Sequence, residues 1–187
     1  MLALQGDFDA HARAIVAAGA EPAKVRCPAE LGRVQGLIIP GGESTTIGKL
    51  IARWDLEAPI RERAAAGMPV WGTCAGMILL AQRVEDSEQF RLGLMDITVR
   101  RNAYGRQVDS FETDTDIAGL TNGPMRVVFI RAPIVTECGP TVEIAAKVDD
   151  TIVMVRQGHL WGTSFHPELT DDTRLHRAFA ELAEQRW

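Results

Sequence analysis

A chain of 187 residues, 46% hydrophobic and 24% charged, has the make-up of an ordinary globular protein and the length of a single domain, residues 1–187, with a sizeable core. Its formal net charge of −5 and pI near 5.4 argue against non-specific attachment to nucleic acid or an anionic membrane, and no run approaches the ~20 apolar residues that span a bilayer. Three scattered cysteines (Cys27, Cys74, Cys138) make no disulfide framework, and Met1 to Leu4 runs into Gln5-Gly6-Asp7 without a signal-like core, so a reducing cytoplasm is expected.

Along the chain, a strand is expected at Leu2 to Leu4, a helix from about Asp9 to Ala18 and a buried strand at Gly36 to Ile39. Pro40-Gly41-Gly42-Glu43-Ser44-Thr45-Thr46 follows. Its paired glycines allow a backbone N–H to turn inward, as an oxyanion hole requires, and Ser44 is placed to cap the helix from about Thr45 to Ala52. A plain turn with a helix cap remains the alternative, whereas a phosphate loop lacks its G-K-[ST]. A helix from Leu56 to Ala66 leads to the short apolar strand Pro69-Val70-Trp71.

Gly72-Thr73-Cys74-Ala75-Gly76 then sits between that strand and a helix through Met77 to Ala81, the local context of a nucleophile elbow. Cys74 would project above the first turn of the helix, where unpaired N–H groups favour a thiolate, and the Ala75 N–H would complete the oxyanion hole with Gly42. Later strands are expected at Leu94 to Val99, Val127 to Ile130, Ile152 to Val155 and Leu160 to Phe165, with a closing helix from Asp172 to Glu184. Arg100-Arg101-Asn102 and Ile130-Arg131-Ala132-Pro133 place arginines just past apolar strands. They are either solvated and paired, or lining a pocket where a guanidinium holds a substrate carboxylate. Tyr104 to Glu112 is polar and reads as an exposed loop.

Phe165-His166-Pro167-Glu168 supplies a base and its partner. Pro167 biases His166 to an extended conformation, so that His166 and Glu168 would lie side by side, the carboxylate accepting from the imidazole while the other ring nitrogen faces Cys74. Cys74, His166 and Glu168 thus make a thiol triad, compatible with a protease, an esterase or an amidase. His11, His159 and His176 show no metal-ligand spacing, and neither a metal nor a cofactor is expected. Trp54 and Trp161 read as core or edge packing. The alternation of elements predicts a three-layer α/β/α fold, with a mostly parallel central sheet and an antiparallel extension in the second half. Site residues would gather beyond the carboxyl ends of the strands.

With P-G-G, G-x-C-x-G and H-P-E in this order, the chain resembles class I glutamine amidotransferases. More narrowly, Leu4-Gln5-Gly6, Pro40 to Thr46, Gly72 to Gly76, Arg101-Asn102, Gly105 to Phe111 and Ser164 to Thr170 resemble the glutaminase subunits of pyridoxal 5′-phosphate synthases. The resemblance implies hydrolysis of L-glutamine to glutamate and ammonia through a thioester. The ammonia would be delivered to a (β/α)8-barrel synthase subunit in a hetero-oligomeric complex. Cys74 would be the nucleophile, His166 the acid and base, and Glu168 its orienter. Gly42, Glu43, Ser44, Arg101, Ile130 and Arg131 would contact glutamine, and Gln5 would lie near the subunit interface. Family members begin several residues before L-Q-G, whereas here Met1 lies within that first strand, so either the start is trimmed or the sheet tolerates a short strand, with consequences for stability and docking near Gln5. The rival readings are the glutaminase of another amidotransferase, such as imidazole glycerol phosphate synthase, and a non-catalytic module of the same fold.

Overall fold

Three segments of this chain are apolar on both faces, Leu37–Ile39 (β1), Val70–Thr73 (β2) and Leu160–Thr163 (β10), and every residue in them is buried. Strands covered on both sides belong in the middle of a parallel sheet. In the computed structural model, which describes residues 1–101 and 110–185, β1 pairs parallel with β2 and β2 parallel with β10. The sheet continues antiparallel through Thr151–Gln157 (β9), Ile134–Cys138 (β7) and Met95–Arg100 (β4), and ends in a parallel pairing of β4 with Ala81–Val84 (β3). Glu143–Val148 (β8) pairs with β9, and Ser110–Thr115 (β5) with Met125–Ile130 (β6) forms a separate two-stranded ribbon.

Alternation along the strands splits the core in two. Leu37, Ile39, Val70 and Leu160 face a cluster made with Pro28–Leu31 (α2), Ser44–Arg53 (α3), Glu57–Ala65 (α4) and Ala75–Leu80 (α5). Ile38, Trp71 and Trp161 face the other cluster, with Phe8–Ala17 (α1), Arg174–Gln185 (α6) and the inner side of the ribbon. This is the expected three-layer α/β/α arrangement, a parallel core with an antiparallel extension. No helix among the described residues is long and apolar enough to cross a membrane.

Several local expectations need correction. The first strand shrinks to a bridge between Leu2 and Val25, with the Leu2 N–H donating to the Ile38 carbonyl at 2.8 Å. The helix after Cys74 stops at Leu80, because Ala81 turns extended and starts β3. Ser110 to Glu112, expected in a loop, pair along β6 instead; the ribbon lays one side on the core, and Phe111 stacks on Phe129 at 4.5 Å. Residues 102–109, including Gly105 to Asp109 of the distinctive string, lie outside the described residues. Trp161 packs in the core as expected, but Trp54 is half exposed at the end of α3.

Candidate active site

Because β1, β2 and β10 run parallel, the segments that follow them emerge at one edge of the sheet: Pro40 to Glu43, Cys74, and Ser164 to Glu168. Cys74 sits at φ 48° and ψ −105°, a region an L-residue occupies only under steric strain, and its N–H donates to the Thr163 carbonyl at 2.8 Å. The flanking glycines make this turn sterically feasible. A Cβ on Gly72 would run into the Gly76 carbonyl, and one on Gly76 into the carbonyl of Ile39. Gly76→Ala is therefore expected to cost about 3 kcal/mol of stability, measured as a lowered urea midpoint.

His166 and Glu168 meet as the H-P-E spacing suggests, with Nδ1 2.8 Å from Oε1, both side chains being nearly or fully buried. The route differs from the expected pleat. Pro167 opens a 3-10 turn over Pro167–Leu169, and the turn, rather than an extended segment, swings Glu168 back beneath the ring. The segment is tied down by the His166 N–H, which donates to Val128 of β6 at 2.8 Å. Burial opposes charging of His166, but its interactions with Cys74 and Glu168 outweigh that and raise the imidazolium pKa to about 10. At neutral pH the ring is thus a cation beside the sulfur.

In an unfolded chain the same group titrates near 6.5. The stabilisation from this proton is then complete below about 6.5 and is lost as pH rises toward 10. We expect the urea midpoint to fall across pH 7 to 10 more steeply in the wild type than in His166→Gln.

The glycine loop completes the wall. Gly41 lies so close beneath the His166 ring that a Cβ would stand 3.0 Å from Nδ1, and one on Gly42 would stand 2.6 Å from Gln5 Oε1. The Gln5 Oε1 accepts from the Glu43 N–H at 2.9 Å, which fastens the loop to the first bridged segment. Glu43, not Ser44, caps α3: its carboxylate accepts from the Thr45 N–H at 3.2 Å and the Thr46 N–H at 2.7 Å. The longer side chain reaches both donors and both threonine hydroxyls, and the hydrogen bonds from Thr45 and then Thr46 hold its pKa near 2. Ser44 is free to donate instead to Gln89 Oε1 at 3.1 Å.

That same Gln89 oxygen accepts from Arg101 at 2.9 Å, and Arg101 also lies 3.6 Å from Glu43. Arg101 is both paired and pocket-lining. Arg100, its neighbour, pairs with Glu85 at 2.6 Å. Arg131 follows β6 at φ 43°, a strained conformation at the cavity mouth. Gln89 is not legible as a site residue in the sequence, because a glutamine in a polar loop carries no periodicity or motif.

All these segments enclose one cavity of about 450 Å³. Its walls carry Gln5, Gly42, Glu43, Ser44, Cys74, Ala75, Arg101, Ile130, Arg131 and His166. Ala75 is the first residue of α5, where a helix N–H has no intrahelical acceptor. Glu168 stays off the wall, hidden behind His166 with no exposed side-chain surface. Cys27 and Cys138 lie elsewhere and are half buried.

Residues 1–185 match the sequence profile of the SNO glutamine amidotransferase family. Among curated proteins, the pyridoxal 5′-phosphate synthase subunit PdxT of Desulforudis audaxviator is 59% identical, over 98% of this chain and 97% of its own length. The PdxT subunit of Carboxydothermus hydrogenoformans is 54% identical, over 97% and 95%. Among solved structures, a glutamine amidotransferase superposes with a TM-score of 0.94 at 49% identity, covering 98% of this chain and 97% of that one. A putative GMP synthase component from Thermoplasma acidophilum shares the fold at a TM-score of 0.68 and 16% identity, over 98% and 92%. An elbow cysteine, a buried imidazole and carboxylate, and a glycine loop around one cavity are thus accompanied by near full-length similarity: the chain belongs to the SNO glutamine amidotransferase family.

Proposed function

We propose that this protein is the glutaminase subunit of a pyridoxal 5′-phosphate synthase, hydrolysing L-glutamine to glutamate and ammonia. The observation that carries the reading is the meeting of Cys74, at a strained strand-to-helix turn, with the buried His166–Glu168 pair in a cavity floored by Gly41 and Gly42. The Cys74 thiolate attacks the carboxamide carbon, while the N–H groups of Gly42 and Ala75 hold the oxyanion. The C–N bond then breaks, the His166 imidazolium gives its proton to the departing ammonia, and a thioester remains on Cys74. Neutral His166 next takes a proton from water, which attacks the thioester carbon and releases glutamate. Glu168 keeps the ring oriented and its charge favourable. Arg101 and Arg131 offer guanidinium groups to the α-carboxylate, with Glu43, Ser44 and Ile130 completing the wall around the substrate.

Ammonia passes to a (β/α)8-barrel synthase subunit in a hetero-oligomeric complex in the cytoplasm. Gln5 stands where the barrel docks and passes the effect of docking to the loop through its bond to Glu43. Gln5→Ala is expected to lower the partner-stimulated rate roughly tenfold, the effect of one lost hydrogen bond at a strategic backbone donor. The assignment of the partner is tested by supplying barrel subunits of pyridoxal 5′-phosphate synthase and of imidazole glycerol phosphate synthase separately and measuring ammonia release. Stimulation by the first alone is expected, and stimulation by the second alone overturns the assignment.

A further inference from the structure

Behind Glu168 lies a second set of buried polar side chains that the proposed chemistry leaves unused. His11 of α1, with no exposed surface, places its Nε2 3.3 Å from Glu168 Oε2 and 3.2 Å from Thr73 Oγ1. Its Nδ1 lies 3.0 Å from Nε2 of His176 on α6, which is equally buried. Among the described residues, Glu168 Oε2 and His176 Nδ1 make no hydrogen bond. A buried carboxylate oxygen left in this way is costly unless a positive dipole faces it.

One tautomer satisfies every ring N–H. If the proton of His11 is on Nε2, it donates to Thr73 and turns a positive ring edge toward Oε2. His11 Nδ1 then accepts from His176 Nε2–H, and the bare Nδ1 of His176 is an unpaired acceptor only. The opposite arrangement points a lone pair of His11 at the carboxylate and strands a buried N–H on His176. We propose that His11 is a positioning residue for the His166–Glu168 pair, holding the far oxygen of Glu168 in place while His176 fixes its tautomer. What the pair does rests on the glutaminase reading above.

Both histidines stay neutral, as this role needs. Burial is the main cause, taking His176 down to about 4 and His11 well below its usual value, with the nearby His176, His166 and Met1 amino group adding to the shift at His11. The groups facing His11 are Glu168 and His166 from the segment after β10, His176 from α6, the uncharged Thr73 from β2, and the Met1 amino group, whose pKa burial lowers to about 6. A neutral His11 supplies an oriented dipole and does not compete with His166 for the carboxylate as a second cation would.

Two substitutions separate its two nitrogens. Gln places an amide nitrogen where His carries Nε2, and Asn places one where His carries Nδ1. His11→Gln and His11→Asn are assayed as full chains with the barrel subunit present. In parallel, the pH dependence of Cys74 alkylation by iodoacetamide is followed by peptide mass mapping. For His11→Asn we expect kcat to fall roughly tenfold at unchanged KM, and the acid limb of the alkylation profile to move up by about half a pH unit or more. His11→Gln is expected within about threefold of wild type, with its limb unmoved. His176→Phe, which keeps ring volume but loses the donor to His11, is expected to give a smaller shift in the same sense, and serves if the His11 variants do not fold. Equal profiles for wild type, His11→Asn and His176→Phe overturn the inference, as does lost activity that only tracks lost thermal stability with the limbs unmoved. A wild type that releases no ammonia overturns the glutaminase reading instead, and the alkylation profiles still decide the role of His11.

Discussion

Cys74→Ala is expected to reduce ammonia release from glutamine by at least roughly 10⁴-fold in the presence of the barrel subunit, with the fold and the binding of that subunit intact. The size follows from the chemistry: among the described residues the other hydroxyl on the cavity wall, Ser44, is engaged with Gln89, so the variant keeps only the contributions of the oxyanion donors and substrate binding. Folding should tolerate the change because alanine is smaller than cysteine and meets the same strain at φ 48°. The sulfur's contact to the Ile130 carbonyl is weak, at 4.0 Å, and its interaction with the His166 ring is lost with it, so the variant should fold but lose part of the stability tied to the His166 proton. Circular dichroism and co-purification with the barrel subunit check the fold; the ammonia assay checks the chemistry. A residual rate within tenfold of wild type would mean that the thiol is not the nucleophile.

His166→Ala should come next in severity, at roughly 10³-fold in kcat. The substitution removes both the cation that favours the Cys74 thiolate and the acid that protonates departing ammonia. It also leaves Glu168 buried with neither oxygen hydrogen-bonded, a cost of about 2 kcal/mol that should appear as a lowered urea midpoint. The variant's reaction with iodoacetamide should also need a higher pH. A variant with a wild-type alkylation profile would show that His166 does not govern the thiol.

The parts of this molecule legible in its sequence are those where local chemistry and global packing agree. β1, β2 and β10 are apolar on both faces and bounded by glycine, proline or polar residues, so their place at the centre of a parallel sheet follows from composition. G-x-C-x-G is readable because each glycine answers a steric demand, visible in the Ile39 carbonyl that a Cβ on Gly76 would strike. The strands that escape sequence reading, β3, β5, β7 and β8, are partly exposed and mix polar with apolar residues over four to six positions without a sustained period, a signal that a surface loop imitates. Ser44 was expected at the cap because short hydroxyls dominate there, but Glu43 reaches the same N–H groups one residue earlier. The union of His11 with His176 was not visible, since it depends on two helices 165 positions apart packing on one face of the sheet.

The proposed glutaminase chemistry requires that Cys74 carry the glutamine-derived acyl group. Its most direct test is to treat the complex with an electrophilic glutamine analogue and to map the modified peptide by mass spectrometry. The predicted result is one covalent label on Cys74, lost when excess glutamine is present and absent from Cys74→Ala. A label on Cys27 or Cys138 that glutamine does not block, with Cys74 untouched, would contradict it.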